Sequence, residues 1–318
     1  MINCCYHREG LEKRCLKVYD CEMKKTPTRL VNFKSDIYSQ SGEDRIIEKI
    51  LKILPKNDKW CVEFGAWDGK FLSNTRNLIE NKDYPAILIE GGKTKFKDLQ
   101  KNYSQNSKVI TINQFVGFDE ENNLDQILID TPIPVDFDFL SIDIDGNDYH
   151  VWKAMSKYKP KVICIEFNPT IPTEIRFVQP PNLSVNQGAS LLSLIGLGRG
   201  KGYELVSVML ANAFFVKLEY YPLFEIDDNS PEILRTNLDV VTYLFIGYDG
   251  KVFLHGSKKL PWHGIELNES KIQPLPSFLR KYPGNYSKVE KAFFAIYLLL
   301  SSPRIFIREV FHRLTRSL

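Results

Sequence analysis

The sequence predicts an α/β fold, in which a Rossmann-like, doubly wound and mostly parallel sheet is flanked by extensions at both ends of the chain. Short apolar segments alternate with helical ones from residue 60 to residue 167, the spacing of right-handed βαβ units. Directly after the first apolar segment, Gly65 and Gly69 interrupt the chain and permit a tight turn that a ligand can approach closely. The expected ligand site is therefore the carboxyl edge of the sheet.

The apolar segments set the order of the predicted elements. A helical apolar stripe over residues 46–54 ends at the helix breaker Pro55. Strands are then predicted at 60–64, 86–90, 108–113, 139–144 and 161–167, and helices at 74–80, 93–102, 124–128, 148–156 and 190–198. Residues 171–187, rich in Pro, Gln and Asn, are predicted to form a loop over the carboxyl edge, and a loop of this length is usually functional.

The turn after the first strand indicates which cofactor would bind. Glu63, Gly65 and Gly69 form the pattern E-x-G-x-x-x-G, with Asp68 in the loop, and the GxGxxG pattern of a dinucleotide site is missing. Acidic side chains near a helix start repel a pyrophosphate but suit a ligand that carries an ammonium and a sulfonium. Glu90 ends the second strand, where a carboxylate can accept hydrogen bonds from both ribose hydroxyls. The pattern predicts S-adenosylmethionine.

Four further segments narrow this prediction to a family. They are Tyr38–Asp44, Phe139–Tyr149, Pro160–Pro169 and Gly188–Leu192. In this order they resemble the FkbM-type methyltransferases, over roughly residues 38–218. The resemblance implies a class I methyltransferase fold whose sheet is closed by an antiparallel hairpin, here residues 203–209 and 213–218. It also implies O-methyl transfer, mostly to sugars, glycans and polyketide-derived hydroxyls.

The predicted cofactor site draws on all of these segments. Gln40 belongs to a family segment at the helix that covers the cofactor, and Asn113, at the end of the third strand, is placed to meet the adenine edge. Asp143 belongs to the fourth-strand segment that in the family faces the methionine end or the acceptor. The predicted cofactor-binding residues are Gln40, Glu63, Gly65, Ala66, Asp68, Gly69, Glu90, Asn113 and Asp143.

Candidate catalytic residues lie at the ends of the fourth and fifth strands. An alcohol needs a base or a divalent metal to take up its proton before it can accept a methyl group. Asp143 and Asp145 point the same way if the fourth strand continues to residue 145, and Glu166 ends the fifth strand. These three carboxylates could act as a base or hold Mg²⁺. His150 is a further candidate base, although a lone histidine on a helix is more often a packing residue, and Asp148 is expected to cap that helix.

These observations divide the chain into four parts. Residues 1–35 are an N-terminal extension, 36–219 the methyltransferase domain, 220–287 an added C-terminal region and 288–318 a basic amphipathic tail. The predicted activity is methyl transfer to a hydroxyl of a sugar or glycan precursor. The alternatives are a methyltransferase for another small metabolite or nucleic acid, and a non-catalytic module of the same fold that binds at a membrane surface.

Charge and cysteine usage restrict the partners and the compartment. The whole chain has a net charge of +3 and the tail one of +4, so the rest of the chain is nearly neutral. It therefore lacks the excess of positive charge that nucleic-acid binding needs. No apolar run follows Met1, and Cys61 and Cys164 lie in predicted buried strands, which favours a cytoplasmic protein with reduced thiols. A zinc site near the N-terminus is disfavoured because the spacing lacks paired C-x-x-C units; its candidate ligands are Cys4, Cys5, His7, Cys15 and Cys21.

The tail has two interpretations. Its apolar run 292–300 is too short to cross a bilayer, and Pro303 interrupts the helix. Beyond the proline one helical face carries Ile307, Val310, Phe311, Leu314 and Leu318, with four arginines elsewhere. Such a helix can lie on anionic lipid at the membrane surface or pack against its own domain or a partner copy in a homo-oligomer.

Overall fold

A computed structural model describes residues 29–55 and 58–308 of the chain. These residues form two compact units. The first contains the chain up to Phe167 together with Val178–Ala189 and Ser193–Thr236. The second contains Asn168–Phe177, Ser190–Leu192 and the chain from Asn237 onward. The predicted zinc ligands of the N-terminal extension, and the face of the tail from Val310 onward, lie outside the described residues.

The first unit is built on a seven-stranded sheet in the order β3-β2-β1-β4-β5-β7-β6. Its strands are β1 Cys61–Phe64, β2 Ala86–Ile89, β3 Val109–Ile112, β4 Phe139–Ile142, β5 Val162–Glu166, β6 Tyr203–Val208 and β7 Asn212–Lys217. Strands β1 to β5 are parallel, whereas β7 pairs antiparallel with both β5 and β6. The structure thus confirms the predicted mostly parallel sheet and its closing hairpin.

Helices follow the strands as the alternation predicts. They are α1 Glu43–Ile53, α2 Arg76–Lys82, α3 Lys93–Tyr103, α4 Leu124–Ile127, α5 Asp148–Ala154, α6 Leu191–Gly200, α7 Pro231–Leu234 and α8 Lys288–Ser301. The predicted apolar stripe of α1 is buried, and the helix ends before Pro55 because proline has no backbone N–H. The structure ends β4 at Ile142, two residues earlier than predicted, because Asp145 takes a left-handed conformation with φ of 57°.

The core of this unit explains why the strands are uniformly apolar. Strands β1, β2 and β4 are buried at every residue, because helices cover both faces of a parallel sheet. On one face Trp152 of α5 packs against Phe215 and Tyr203, with ring centroids 5.0 and 5.9 Å away. Cys61 and Cys164 are buried free thiols, as predicted, and burial raises their pKa well above the usual value.

The second unit contains two small antiparallel hairpins and the long helix α8. Strands β8 Thr242–Ile246 and β9 Val252–Gly256 form the first hairpin, which turns at Asp249–Gly250, a dipeptide typical of hairpin turns. Strands β10 Lys259–Leu260 and β11 Ile265–Glu266 form the second. Helix α8 ends just before Pro303, and residues 303–308 are again helical. Within the described residues, every helix is too short or too polar to cross a bilayer.

Candidate functional site

The strand register brings five of the predicted site residues into one row at the carboxyl edge of the sheet. Phe64 pairs with Ile89 on one side and with Ile142 on the other, Ile89 pairs with Ile112, and Ile142 pairs with Ile165. The next residue on each strand completes the row, which is Asn113, Glu90, Gly65, Asp143 and Glu166. The carboxyl ends of parallel strands at a change of strand order form a ligand crevice. Strand β1 lies at that point, between β2 and β4.

Gly65 is the central position of this row, and only glycine fits there. Its φ of 70° favours glycine, and a Cβ atom would lie 2.1 Å from the backbone oxygen of Asp143. Gly69 closes the same turn with φ of 72°, and its carbonyl accepts a 2.8 Å hydrogen bond from the hydroxyl of Tyr103. The two glycines therefore keep the space above the strand ends free of side chains.

Glu90 is buried, and its carboxylate shapes the loops on both sides. One oxygen accepts the backbone N–H of Trp67 at 2.9 Å, and the other accepts that of Gly92 at 2.6 Å. Each carboxylate oxygen can accept more than one hydrogen bond. Glu90 is therefore held in a fixed orientation and can still accept two hydroxyl protons from a ribose.

Glu63 has a different environment from Glu90, because its carboxylate accepts three hydrogen bonds from neighbouring protein groups. It accepts hydrogen bonds from the hydroxyls of Ser73 and Thr75, at 2.5 and 2.6 Å, and from the backbone N–H of Asn74 at 2.9 Å. Burial raises the pKa of Glu63, while these hydrogen bonds act to lower it. The carboxylate fixes the segment that leads into α2, and its direct contact with a cofactor stays a prediction.

Three acidic side chains meet at the ends of β4 and β5. Carboxylate oxygens of Asp143, Asp145 and Glu166 all lie within 4.8 Å of one another, and those of Asp143 and Glu166 share a hydrogen bond. Asp143 and Asp145 are exposed to solvent, whereas Glu166 is half-buried. Partial desolvation by the surrounding protein, reinforced by the neighbouring negative charges, raises the pKa of Asp143 to about 8 and that of Glu166 still further. The cluster can hold a proton at neutral pH.

The strand alternation that the sequence suggests is not what brings Asp145 to this cluster. The chain leaves β4 after Ile142, and the left-handed Asp145 turns the chain back, so the alternation argument is wrong although the two aspartates do meet. Buried Asp148 holds this turn by accepting the backbone N–H groups of Ile144 and Gly146, each at 2.9 Å. Asp148 is thus structural, as expected, but it shapes the loop before the helix.

A loop of the first unit, Val178–Ala189, lies against this turn. The side chain of Asn186 donates to the backbone oxygen of Asp145 at 2.8 Å, and that of Asn147 donates to the backbone oxygen of Asn182 at 3.1 Å. His150 also contacts the loop: its Nε2 lies 2.8 Å from the backbone oxygen of Gln179. His150 is therefore placed beside the loop, outside the group of three carboxylates, and its role as a base stays a prediction.

The remaining predicted residues mostly contact their own loops. Gln40 is exposed on the segment before α1, and Ala66 is buried, with its N–H donating to Ile89 at 3.1 Å. Asp68 accepts the N–H groups of the two residues Lys70 and Phe71. The side chain of Asn113 donates to the backbone oxygens of residues 90 and 91 at 2.7 and 3.3 Å. Their contacts with a cofactor stay predictions.

Two aromatic residues beside the row are not identified by the sequence analysis. Phe115 is 72% exposed, and its ring packs directly on Gly91. A Cβ atom added to Gly91 would lie only 2.2 Å from the nearest ring atom. Trp67, 47% exposed, takes a left-handed φ of 52° and lies under the ammonium of Lys95, which is 3.2 Å from the ring centroid. An aromatic residue soon after the third strand is the signal that could have indicated Phe115.

The chain is similar to one known protein family and to several solved structures. The sequence model of the "Methyltransferase FkbM domain" matches residues 46–205. Among solved structures, the N-terminal domain of EvdMO1 with SAH bound is 12% identical, with 57% of this chain and 82% of that chain covered and a TM-score of 0.38. A SAM-dependent methyltransferase from Aquifex aeolicus is 15% identical, with 54% and 88% covered and a TM-score of 0.33.

A third structure, M. capricolum TrmK in complex with S-adenosyl-homocysteine, is 11% identical, with 54% of this chain and 65% of that chain covered and a TM-score of 0.33. No curated protein sequence matches the chain. The family model spans half of the chain and contains β1 to β5 with the whole row of site residues. This chain therefore belongs to the FkbM methyltransferase family, and its fold and activity class are those of a class I methyltransferase that depends on S-adenosylmethionine.

Proposed function

We propose that this protein transfers the methyl group of S-adenosylmethionine to a hydroxyl of a sugar or glycan precursor. The observation that carries the proposal is the row in which Glu90, the bare turn at Gly65 and the pair Asp143 and Glu166 lie side by side. In this row Gly65 lies between Glu90, a carboxylate suited to accept hydrogen bonds from ribose hydroxyls, and the acidic pair Asp143 and Glu166. The hydroxyl acceptor and its sugar class are supported by membership of the FkbM family.

The chain offers a fitting environment for each part of the cofactor. Glu90 is oriented to accept the ribose hydroxyls, while Gly65 and Gly69 leave room for the methionine portion. The acidic cluster at Asp143 favours the positive charge of the ammonium or sulfonium. The exposed ring of Phe115, two residues beyond Asn113, is available to pack on the adenine.

The acidic cluster can also take up the proton of the acceptor. The bound cofactor supplies an activated methyl group, so the protein must orient the acceptor oxygen and remove its proton as the new C–O bond forms. A carboxylate whose pKa is raised to about 8 is better matched to this task than an ordinary aspartate. We assign the base to Asp143, and Glu166, which shares a hydrogen bond with it, stabilises the proton between them.

A divalent metal is the second candidate for the same cluster. The oxygens of Asp143, Asp145 and Glu166 are close enough to bind one ion, and Mg²⁺ prefers such oxygen ligands. In that case the ion would orient the acceptor hydroxyl and lower its pKa. Chelation followed by addition of Mg²⁺ separates the two proposals, because activity that survives chelation assigns the carboxylates as the base.

The acceptor can be identified by mass spectrometry. The protein is incubated with S-adenosylmethionine and panels of nucleotide sugars, glycan fragments, small metabolites and short nucleic acids, and products that gain one methyl group are identified. We expect methylation on a hydroxyl in the first two panels. The nearly neutral chain outside the tail disfavours nucleic acid. Methylation only at nitrogen or carbon, or only of the other panels, would contradict the proposed acceptor class while leaving the methyltransferase assignment intact.

A further inference from the structure

One side of helix α8 is an apolar surface that stays largely exposed; the exposed ring of Phe278 packs edge-on against its Phe293, with centroids 6.1 Å apart, and extends the surface. Val289, Phe293, Ile296 and Leu300 are all exposed and follow one another at spacings of three and four residues, and exposed Leu299 lies three residues after Ile296. Residues at these spacings lie on one side of a helix. We call these five residues the α8 apolar face. An exposed apolar surface of this kind marks an interaction site.

The opposite side of α8 fixes the helix to its own unit, so the exposed face has a defined direction. The ring of Phe294 packs on Tyr286 with the centroids 5.7 Å apart, and the hydroxyl of Tyr297 donates to the backbone oxygen of Pro274. A capping box formed by Ser287 and Glu290 begins the helix. These contacts hold the half-buried side against the second unit and turn the apolar face outward. The α8 apolar face is thus part of a folded surface.

Basic residues surround this face. Between residues 280 and 308 the chain has six lysines and arginines and one acidic residue, Glu290, which pairs with Lys281. Lys288 and Lys291 lie at one end of α8, and Arg304 and Arg308 lie beyond its other end; all four are exposed. Among the described residues none of these four forms an ion pair. Basic residues that form no ion pair within the described part of the chain therefore precede and follow the apolar face.

This combination selects one occupant. A second copy packed face to face on α8 would place lysine or arginine opposite lysine or arginine at either end, since both ends carry the same charge. An anionic bilayer surface instead offers acyl chains to the apolar face and phosphate groups to the flanking cations. We propose that the α8 apolar face docks the protein on the surface of membranes that contain anionic lipid, with the helix lying in the plane of the membrane.

This surface lies within the tail, residues 288–318, for which the sequence indicates membrane contact, but it is formed by other residues than the lipid face described there. The predicted lipid face begins at Ile307, after Pro303, whereas the α8 apolar face lies entirely before the proline. The proposal does not depend on the methyltransferase assignment, because it uses no residue of the catalytic row. A failed vesicle experiment would therefore leave the proposed activity untouched.

Sedimentation of the full-length protein with vesicles tests the proposal. Vesicles of phosphatidylcholine alone are compared with vesicles that contain phosphatidylserine, at low and high salt. We expect binding to the anionic vesicles that weakens with salt. In the double variant Ile296→Gln/Leu300→Gln, binding should fall by about tenfold or more for each apolar side chain removed. In Lys288→Gln/Lys291→Gln, it should fall by about fivefold for each charge.

The matched control is Ile129→Gln/Val135→Gln, which removes two exposed apolar side chains from the first unit and should bind like the wild type. Circular dichroism checks that each variant is folded, and the lysine variant keeps the test decisive if the apolar variant unfolds. Absence of vesicle binding by the wild-type protein would overturn the proposal. So would a wild-type dimer in light scattering that the α8 variant converts to a monomer, because the face would then bind a second copy.

Discussion

Acidic side chains lie on both sides of Gly65, and their surroundings differ sharply. On the side of β2 and in β1 itself, the carboxylates of Glu90 and Glu63 accept two and three hydrogen bonds from nearby backbone and hydroxyl groups. On the side of β4 and β5, the carboxyls of Asp143, Asp145 and Glu166 face mainly one another. The first group fixes loops, whereas the role proposed for the second is to exchange a proton. We therefore propose that acids at one sheet edge take structural or chemical roles according to the hydrogen-bond donors around them.

The largest effect is expected on the rate of methyl transfer, when the proposed base Asp143 is replaced. Asp143→Asn keeps the shape of the side chain but removes the base, so we expect the rate of methyl transfer to fall by about 10²- to 10⁴-fold. Binding of S-adenosylmethionine should weaken far less than turnover, because Asp145 and Glu166 remain in the acidic cluster, and the circular dichroism spectrum should match that of the wild type. The control Asp130→Asn changes an exposed aspartate of the same unit and should leave turnover unchanged. Full turnover by Asp143→Asn would reject the assignment.

Removing the carboxylate of Glu63, which is hydrogen-bonded within the protein, should instead destabilise the fold. Glu63→Ala leaves two hydroxyls and one backbone N–H without their partner in a buried place, which we expect to cost about 3 kcal/mol of unfolding free energy. Urea denaturation measures the loss. Glu80→Ala, which breaks only a partly exposed pair with Arg76 on α2, should change stability by about 0.5 kcal/mol or less. Equal effects of the two substitutions would show that Glu63 is not a structural residue.

The pH dependence of turnover sharpens the description of the acidic cluster. A base must be ionised to accept a proton, and partial desolvation together with the neighbouring carboxylates raises the pKa of Asp143 to about 8. We therefore expect kcat to rise about tenfold per pH unit below that value and to level off above it. A plateau that already begins near pH 5 would indicate a cation that lowers the pKa of the cluster, and chelation should then move the profile back.

The smallest expected effect concerns stability. The folded protein holds the proton of Asp143 more tightly than the unfolded chain, whose aspartates titrate near pH 4. Unfolding free energy therefore decreases as the pH rises from about 4 to about 8, because the carboxyl ionises more readily in the unfolded state. Asp143→Asn removes this penalty, so its melting temperature should exceed that of the wild type by a few degrees at pH 8 and by less at pH 5. A lower value at pH 8 would contradict the raised pKa.

The sequence predicts which site residues lie at the carboxyl edge because their places follow from apolar runs. Once strands 60–64, 86–90 and 139–144 are predicted to be parallel, Gly65, Glu90 and Asp143 are expected near one another at the carboxyl edge, and the register of the structure puts them in one row. The closing hairpin comes from the family resemblance and is confirmed by the structure, whereas the order of the seven strands is known only from the structure.

The sequence does not predict which carboxylates are hydrogen-bonded to other groups of the protein. Whether Glu63 faces Ser73 and Thr75 depends on how the chain leaves the turn, which periodicity does not encode. The same is true of the left-handed Asp145, which ends β4 early, and of the ring of Phe115 beside Gly91. Such features depend on individual side-chain contacts between segments distant in sequence. They are visible only when the loops are in place.

Calorimetric titration with S-adenosylmethionine tests the central claim most directly. We expect the wild-type protein to bind at one site and to gain thermal stability. We expect Glu90→Ala to bind about tenfold or more weakly, because it removes both the proposed acceptor of the ribose hydroxyls and the carboxylate that holds the N–H groups of Trp67 and Gly92. The control Glu80→Ala should bind like the wild type. If the wild-type protein shows neither heat of binding nor a rise in melting temperature, the row at the carboxyl edge is not a cofactor site.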